Sequence, residues 1–321
     1  MFGAPAPYPL AFQSPTAAGR PALAFGANAP SPALPPVARR VGASALQATP
    51  PPRPPLERLG ATAEVQLVGT GAGRAALILS GGQAAMVDAG SSAVAAEAVQ
   101  RLEAAGIHRL EAVLLVRHGA AAAQGLPLVL RQMKAARLVV PGPRPEPGFR
   151  ESLAAARAAG VPVGTASRGS TLAVGDARIE WLWPPQGLGQ PADGGGSGLI
   201  RVQAGRVVIL LAGSFDPAEE DALVRLGGPL RAQVLEVPAG GAGRLSAAFL
   251  RAVSPRVAVV GDAPDQAGPA VVQQLAAAGV AVVHGGRLSD LTLATDGRRV
   301  TVAFDPGPAE EPLASGTGTG Q

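Results

Sequence analysis

Three histidines (His108, His118 and His284) and no cysteine are all the His and Cys ligands that this 321-residue chain has. Most zinc and iron sites draw on clustered His and Cys, so such a site is hard to build from this inventory. Without cysteine there is also no disulfide, no thiolate ligand and no Cys nucleophile. His118 follows the apolar run AVLLV (112–116) and precedes Gly119 and four alanines. That placement suits a ligand, but a lone His equally serves a local hydrogen bond. His108 after a helix end, and His284 before Gly-Gly, read as surface turns. Asp88, in MVDAG (86–90), ends a strand where a helix opens. Catalytic acids occur at such places, and so do structural turns. Ser91 or Ser92 then reads as the helix N-cap.

Two further acid positions follow apolar runs. Ser214 and Asp216 come after VVILLAG (207–213), and Asp262 and Asp265 after RVAVVG (256–261). Carboxylates at buried strand ends can hold Mg²⁺. The run Asp216-Pro217-Ala218-Glu219-Glu220 reads better as an N-cap, a first-turn proline and acids on the helix dipole. No serine sits in a G-x-S-x-G elbow, so spacing supports no Ser/His/Asp triad. The loop GTGAG (69–73) precedes a strand, not a helix, and therefore reads as a tight turn and not a phosphate cradle.

The elements that must position these residues are short β-branched runs alternating with Ala-rich helical stretches. Strands are predicted at 64–69, 75–80, 84–88, 112–116, 137–140, 177–183, 199–203 and 206–212, and then at 232–237, 256–261, 280–284, 290–295 and 299–304. Helices are predicted at 92–105, 121–134, 149–159, 217–226, 245–253 and 267–278. In the first of these, Val94, Ala98, Leu102 and Ala105 form the expected buried stripe. Gly106, Gly160 and Gly279 each follow a small-residue helix tail and precede a β-branched run, which suits a left-handed helix stop. Three strands come before any helix, so the chain does not open as a doubly wound parallel fold. AGR (204–206) and DGR (296–298) read as hairpin turns. Mixed sheets with outer helices follow.

Composition bounds the rest. Hydrophobic residues are 47% of the chain and charged ones 16%, which excludes global disorder, and 3% aromatics imply an aliphatic core. Residues 1–60 hold 14 of the 32 prolines and read as a disordered arm. They also hold five arginines against one acid, Glu57, so the net +4 lies in the arm and the rest of the chain is balanced. Five arginines over sixty residues make a dilute signal for nucleic acid. Residues 306–321 read as a polar tail, which leaves 61–305 as the folded domain. The longest apolar runs are about seven residues, far below the ~20 of a spanning helix, and the N-terminus lacks the pattern of a signal peptide. Nothing in the sequence fixes a compartment or a partner.

From residue 64 to about 305 the order of motifs resembles the metallo-β-lactamase-like domain of ComEC-type DNA-uptake proteins. VGTGAG (68–73), MVDAG (86–90) and GIHRLEAVLLVRHGAAAAQGL (106–126) stand where that family has V-G-Q-G-D, (I/V)-D-x-G and G-I-x-x-L-D leading to S-H-P-x-x-D-H-x-G-G-L. SGLIRV (197–202), ILLAGS (209–214) and LEVPAGGAG (235–243) are similar to its N-x-x-S-L-V-L-R-L, L-L-T-G-D and L-K-V-P-H-H-G-S. FLRAVSPRVAVV (249–260) and LAAAGVAVVHGGRLSDLTLATDG (275–297) match its closing blocks. The resemblance implies a four-layer αββα metallo-β-lactamase-like sandwich with mixed sheets. It also implies two divalent metal ions, such as zinc or manganese, that activate water for hydrolysis.

The departures fall on the metal ligands. His118 survives, but the Asp and second His positions of S-H-P-x-x-D-H fall in the alanines 120–123. The aspartate of T-G-D is Ser214, the paired histidines fall on Ala239 and Gly240, and the first loop's aspartate is Ala72. Asp88 is kept, as a position usually structural in the family. His118, Asp88, Ser214, Asp216 and Asp262 are thus the expected vestigial pocket. The expectation is a non-catalytic pseudo-hydrolase that binds or scaffolds, without a cofactor, and DNA enters as a partner by resemblance alone. The alternative is a metal-dependent hydrolase or phosphodiesterase in which His118, Asp88, Asp216 and Asp262 hold Mg²⁺ or Mn²⁺.

Overall fold

The structure, a computed structural model, describes residues 62–69, 73–117, 120–142, 149–186, 197–237, 243–261, 268–284 and 290–305. The expected arm 1–60 and tail 306–321 lie outside them. The described chain opens with an antiparallel meander, β1 (Ala63–Val68), β2 (Ala75–Ser80) and β3 (Gln83–Val87). α1 (Ser92–Ala104) follows, and then β4 (Arg109–Leu110), β5 (Ala112–Leu114), α2 (Ala120–Ala123), α3 (Leu126–Gln132), β6 (Lys134–Ala135), β7 (Leu138–Pro141) and α4 (Arg150–Ala158). Five strands come next: β8 (Val163–Ala166), β9 (Thr171–Val174), β10 (Ala177–Trp183), β11 (Leu199–Ala204) and β12 (Val207–Ala212). The chain then runs through α5 (Pro217–Leu226), β13 (Val234–Glu236), α6 (Ala247–Val253), β14 (Val257–Val260), α7 (Pro269–Ala277), β15 (Ala281–His284), β16 (Asp290–Thr295) and β17 (Val300–Asp305).

Two mixed sheets carry the molecule. One has eight strands in the order β17-β16-β1-β2-β3-β5-β7-β8, and the other seven in the order β15-β14-β13-β12-β11-β10-β9. Alternation along each strand sends its residues to opposite faces. From β1 and β2, Val65, Leu67 and Ile78 face the second sheet, where they pack with Ile179, Trp181, Ile200 and Ile209. Leu77, Leu79, Met86 and Val113 face the other way and pack on Ala98 and Leu102 of α1, Val129 of α3 and Ala156 of α4. Beyond the second sheet, Leu210, Leu235 and Ala258 pack on Leu223 of α5, Phe249 of α6 and Leu275 of α7. The layers are therefore helix, sheet, sheet, helix: the expected αββα sandwich with mixed sheets.

Both predicted hairpins form, β11 with β12 and β16 with β17, each antiparallel. Gly106, Gly160 and Gly279 stop their helices at φ of 72°, 67° and 72°, where a Cβ is disfavoured. Other expectations are corrected. The buried stripe of α1 is Ala95, Ala98, Val99 and Leu102, so it is turned from the predicted one, and Ala105 is exposed. The helix predicted at 121–134 is two, α2 and α3, with Gly125 between them. A Cβ at Gly125 would lie 2.7 Å from the Ala89 carbonyl and 2.8 Å from that of Ser91, so the chain there runs against the turn before α1. β4, β6, β8 and β9 were not predicted: β4 and β6 are two residues long, and β8 (VGTA) and β9 (TLAV) are four-residue edge strands, β8 with three of its residues exposed.

Candidate functional site

The candidate site lies where strand ends of the two sheets meet. β3 stops at Val87, and Asp88 takes φ 54°, a left-handed conformation rare for a residue with a Cβ. It is fully buried. Its N–H donates to the Leu114 carbonyl at 2.7 Å. One carboxylate oxygen accepts the Val116 and Arg117 backbone N–H groups at 2.9 and 3.2 Å, and the other accepts Arg117 Nε at 2.7 Å. This sharp turn hooks the end of β3 onto the end of β5.

Arg117 continues the chain of contacts. Its Nη2 donates to the Arg74 carbonyl at 2.9 Å. Arg74, just before β2, crosses to the second sheet and ion-pairs there with Glu236, the last residue of β13. Arg74 is 3% exposed and Glu236 5%. The Arg74 guanidinium also lies against Gly261, in space that a Cβ at that position would fill. Asp88, Arg117, Arg74 and Glu236 thus form one buried line from the first sheet to the second, two adjacent arginines with an acid at each end. Burial pushes the Arg74 pKa down, Glu236 opposes this, and the neighbouring Arg117 reinforces it. Burial pushes the Asp88 carboxyl up, while Arg117 and the two backbone N–H groups hold its charge.

A second junction lies beside it. Gly198 N–H donates to the Val116 carbonyl at 2.6 Å, and Gly213 N–H to the Gly198 carbonyl at 2.9 Å. A Cβ at Gly213 would collide with the Val116 carbonyl, so only glycine permits this approach. Ser214 follows with an exposed side chain, and its N–H donates to Ser197 Oγ at 3.0 Å. The structure therefore brings Asp88 and Ser214 to neighbouring strand ends.

It does not bring Asp216 into that group as a ligand. Asp216 caps α5: its Oδ1 accepts the Glu219 N–H at 2.8 Å, and Glu219 reaches back to the Asp216 N–H. Ser91 caps α1 by accepting the Val94 N–H at 3.3 Å. His108 is exposed in the turn after α1, whereas His284 is half-buried at the end of β15 and so is not the surface turn residue expected. His118 and Asp262 lie outside the described residues, as does Asp265.

The metal pair implied by the resemblance can be tested against these donors. Both Asp88 oxygens are committed to three N–H donors, and Glu236 to a guanidinium. α2 offers only alanine side chains. Among the described residues, no three His, Cys, Asp or Glu side chains gather as a metal group would need. Two guanidinium ions already balance the two acids at the strand ends, so neither carboxylate is left as an uncompensated charge for a divalent cation. The described donors do not fit a dinuclear site, so no metal-dependent step is derived from them.

Sequence reasoning missed Arg74, Arg117 and Glu236. The signal was present: Arg117 closes the apolar run AVLLV, and Glu236 stands between Leu235 and Val237. A single charge embedded in a buried strand requires a partner.

No family model matches the chain, and no curated protein matches it. Solved structures are similar in part, three of them as follows. CmlA, a diiron β-hydroxylase from Streptomyces venezuelae, matches at 14% identity over 73% of this chain and 54% of its own, with a TM-score of 0.48. The metallo-β-lactamase fold protein YhfI from Bacillus subtilis matches at 14% identity over 69% of this chain and 95% of its own, with a TM-score of 0.46. MEM-A1, a subclass B3 metallo-β-lactamase from a soil metagenome library, matches at 15% identity over 56% of this chain and 78% of its own, with a TM-score of 0.39. The chain spans about half the length of CmlA.

Proposed function

We propose that this chain is a pseudo-hydrolase: a non-catalytic domain of the metallo-β-lactamase-like type, related to ComEC-type proteins, that binds or scaffolds. The observation that carries the reading is the buried line Asp88–Arg117–Arg74–Glu236. Acids at the strand ends are neutralised by arginines of the same chain, so the pocket needs no added cation to be electrically closed. Where ligand positions of the resembled family fall on alanine and glycine, no side-chain lone pair is available. Removing such ligands also removes like charges that would repel one another without their metal, so the fold can persist.

A role beside DNA follows only from the sequence resemblance, and it is part of the proposal in that sense alone. The test is phosphodiesterase turnover by the full chain with Mg²⁺, Mn²⁺ or Zn²⁺ supplied in turn. No turnover above the metal-only blank is expected. Turnover that a chelator abolishes would instead establish the alternative, a metal-dependent hydrolase with a rebuilt carboxylate site.

A further inference from the structure

The end of the molecule opposite the strand-end site carries a band of arginines. β12, β13 and β14 run parallel and in register, with Ile209 beside Val234 and Val234 beside Val257. All three run toward the strand-end site, where β13 stops on Glu236, so all three start at the far end. An arginine lies one to three residues before each: Arg206, Arg231 and Arg256. The three strands are neighbours, so the outer two of these positions are about 10 Å apart. The other sheet adds two more. The Arg206 N–H donates to the Gly297 carbonyl at 2.6 Å, which ties the turn between β16 and β17 to the start of β12. A Cβ at Gly205 would meet the Gly297 backbone, so the two turns lie against each other. Arg298 and Arg299 stand in the second of these turns.

All five arginines are exposed. Among the described residues, no carboxylate lies within ion-pair distance of any of them. Two acids stand nearby. Asp296 accepts the Arg298 and Arg299 N–H groups at 2.8 and 2.7 Å. Asp176 is in the turn before β10, whose first residue pairs with Ala204. Like charges gathered in excess on one surface repel one another, and a partner of opposite charge relieves that cost.

The residues that precede β1 enter at the same end. Ala63 pairs with Thr295, beside the arginine turn, and the Thr62 N–H donates to the Thr295 carbonyl at 2.7 Å. Residues 1–60 bring five more arginines against Glu57, together with Phe2, Tyr8, Phe12 and Phe25. The positive charge of the N-terminal segment and that of the fold therefore meet at one place.

We infer that this end of the molecule docks on an anionic phospholipid membrane. A cluster of about four to eight basic residues is the pattern that such surfaces attract. The five positions spread about 10 Å along one sheet and about 10 Å across to the other. That is a surface and not a line, and it suits a plane of headgroups better than a single phosphodiester strand. The aromatics of the preceding segment supply the apolar insertion that basic charge alone lacks. Among the described residues no helix is long and apolar enough to cross a membrane, so the fold lies on the bilayer. In this orientation the strand-end site faces away from the lipid, and the inference is independent of whether that site is catalytic.

Flotation of the full chain with vesicles tests this. Phosphatidylcholine vesicles with about 30% phosphatidylserine should retain the chain at about 0.1 M salt and release it at about 0.5 M. Pure phosphatidylcholine vesicles should not retain it. Arg206→Gln, Arg231→Gln and Arg256→Gln together should lower the partition coefficient by roughly a hundredfold, about fivefold per arginine. Arg298→Gln with Arg299→Gln, in a separate turn, should lower it roughly twentyfold. A thermal melt checks that each variant is folded. No retention on the anionic vesicles, equal retention on both kinds, or folded variants that bind like the unaltered chain overturn the inference. Duplex DNA at equal phosphate concentration should leave most of the chain on the vesicles. A duplex that strips the chain from them assigns the band to nucleic acid and overturns the inference as well.

Discussion

Asp88 and Arg117 pair at 2.7 Å with almost no access to water, and that burial makes each dependent on the other. Taking an ion out of water costs several kcal/mol, which is offset only when the partner and the remaining hydrogen bonds are in place. Asp88→Asn keeps the size and tolerates the left-handed backbone, because Asn is at home there. It removes the buried carboxylate charge that pairs with Arg117. Urea unfolding is expected to show a loss of about 3 kcal/mol, the range of a broken buried pair. A loss under about 1 kcal/mol, ordinary for an exposed pair, would show that the line of charge is not closed as described. At this scale the sequence was legible only in part. Asp88 stood out by its place at a strand end, but its partner is 29 residues away, a pairing that only the sheet order creates.

Helix ends were the most readable elements, because their signals are local. The Asp216 cap, the proline after it and the acidic first turn all form as their spacing indicates, and the structure adds the Glu219 return contact. Asp216→Ala is expected to cost about 1 kcal/mol by the same measurement, as lost N-caps do. The break between α2 and α3 was not readable, because its cause is non-local: Gly125 is pressed against the turn between β3 and α1. Gly125→Ala should therefore destabilise by about 1–3 kcal/mol, the range of overpacking. A neutral or stabilising result, as for glycine in an open helix, would contradict that close approach. The stripe of α1 was predicted turned to one side, sharing only Ala98 and Leu102 with the observed one, because an Ala-rich helix has little contrast between its faces. The edge strands β8 and β9 are only four residues long, too short for a periodic signal, and pairing with β7 and β10 holds them in place.

Across the whole molecule, the order of strand-rich and helix-rich stretches was enough to anticipate mixed sheets with helices outside, and the resemblance supplied the four-layer arrangement. It was not enough to show where charge is buried. One consequence is global. Buried in the first turn of α5, Glu220 binds its proton more tightly folded than unfolded, with a pKa of about 7 against an ordinary 4.5. Between these values the folded state holds more protons, so stability falls as pH rises, by at most about 1.4 kcal/mol per unit. Thermal melts should show a higher Tm at pH 5 than at pH 7.5, and Glu220→Gln should narrow the gap; an unchanged gap would exclude Glu220 as its source. The proposed function rests on a larger claim, that the strand-end pocket is closed by the chain's own arginines. The most direct measurement is elemental analysis of the full chain after incubation with excess Zn²⁺ or Mn²⁺ and desalting. Well under one ion per chain is expected, and one or two ions retained per chain would contradict the claim.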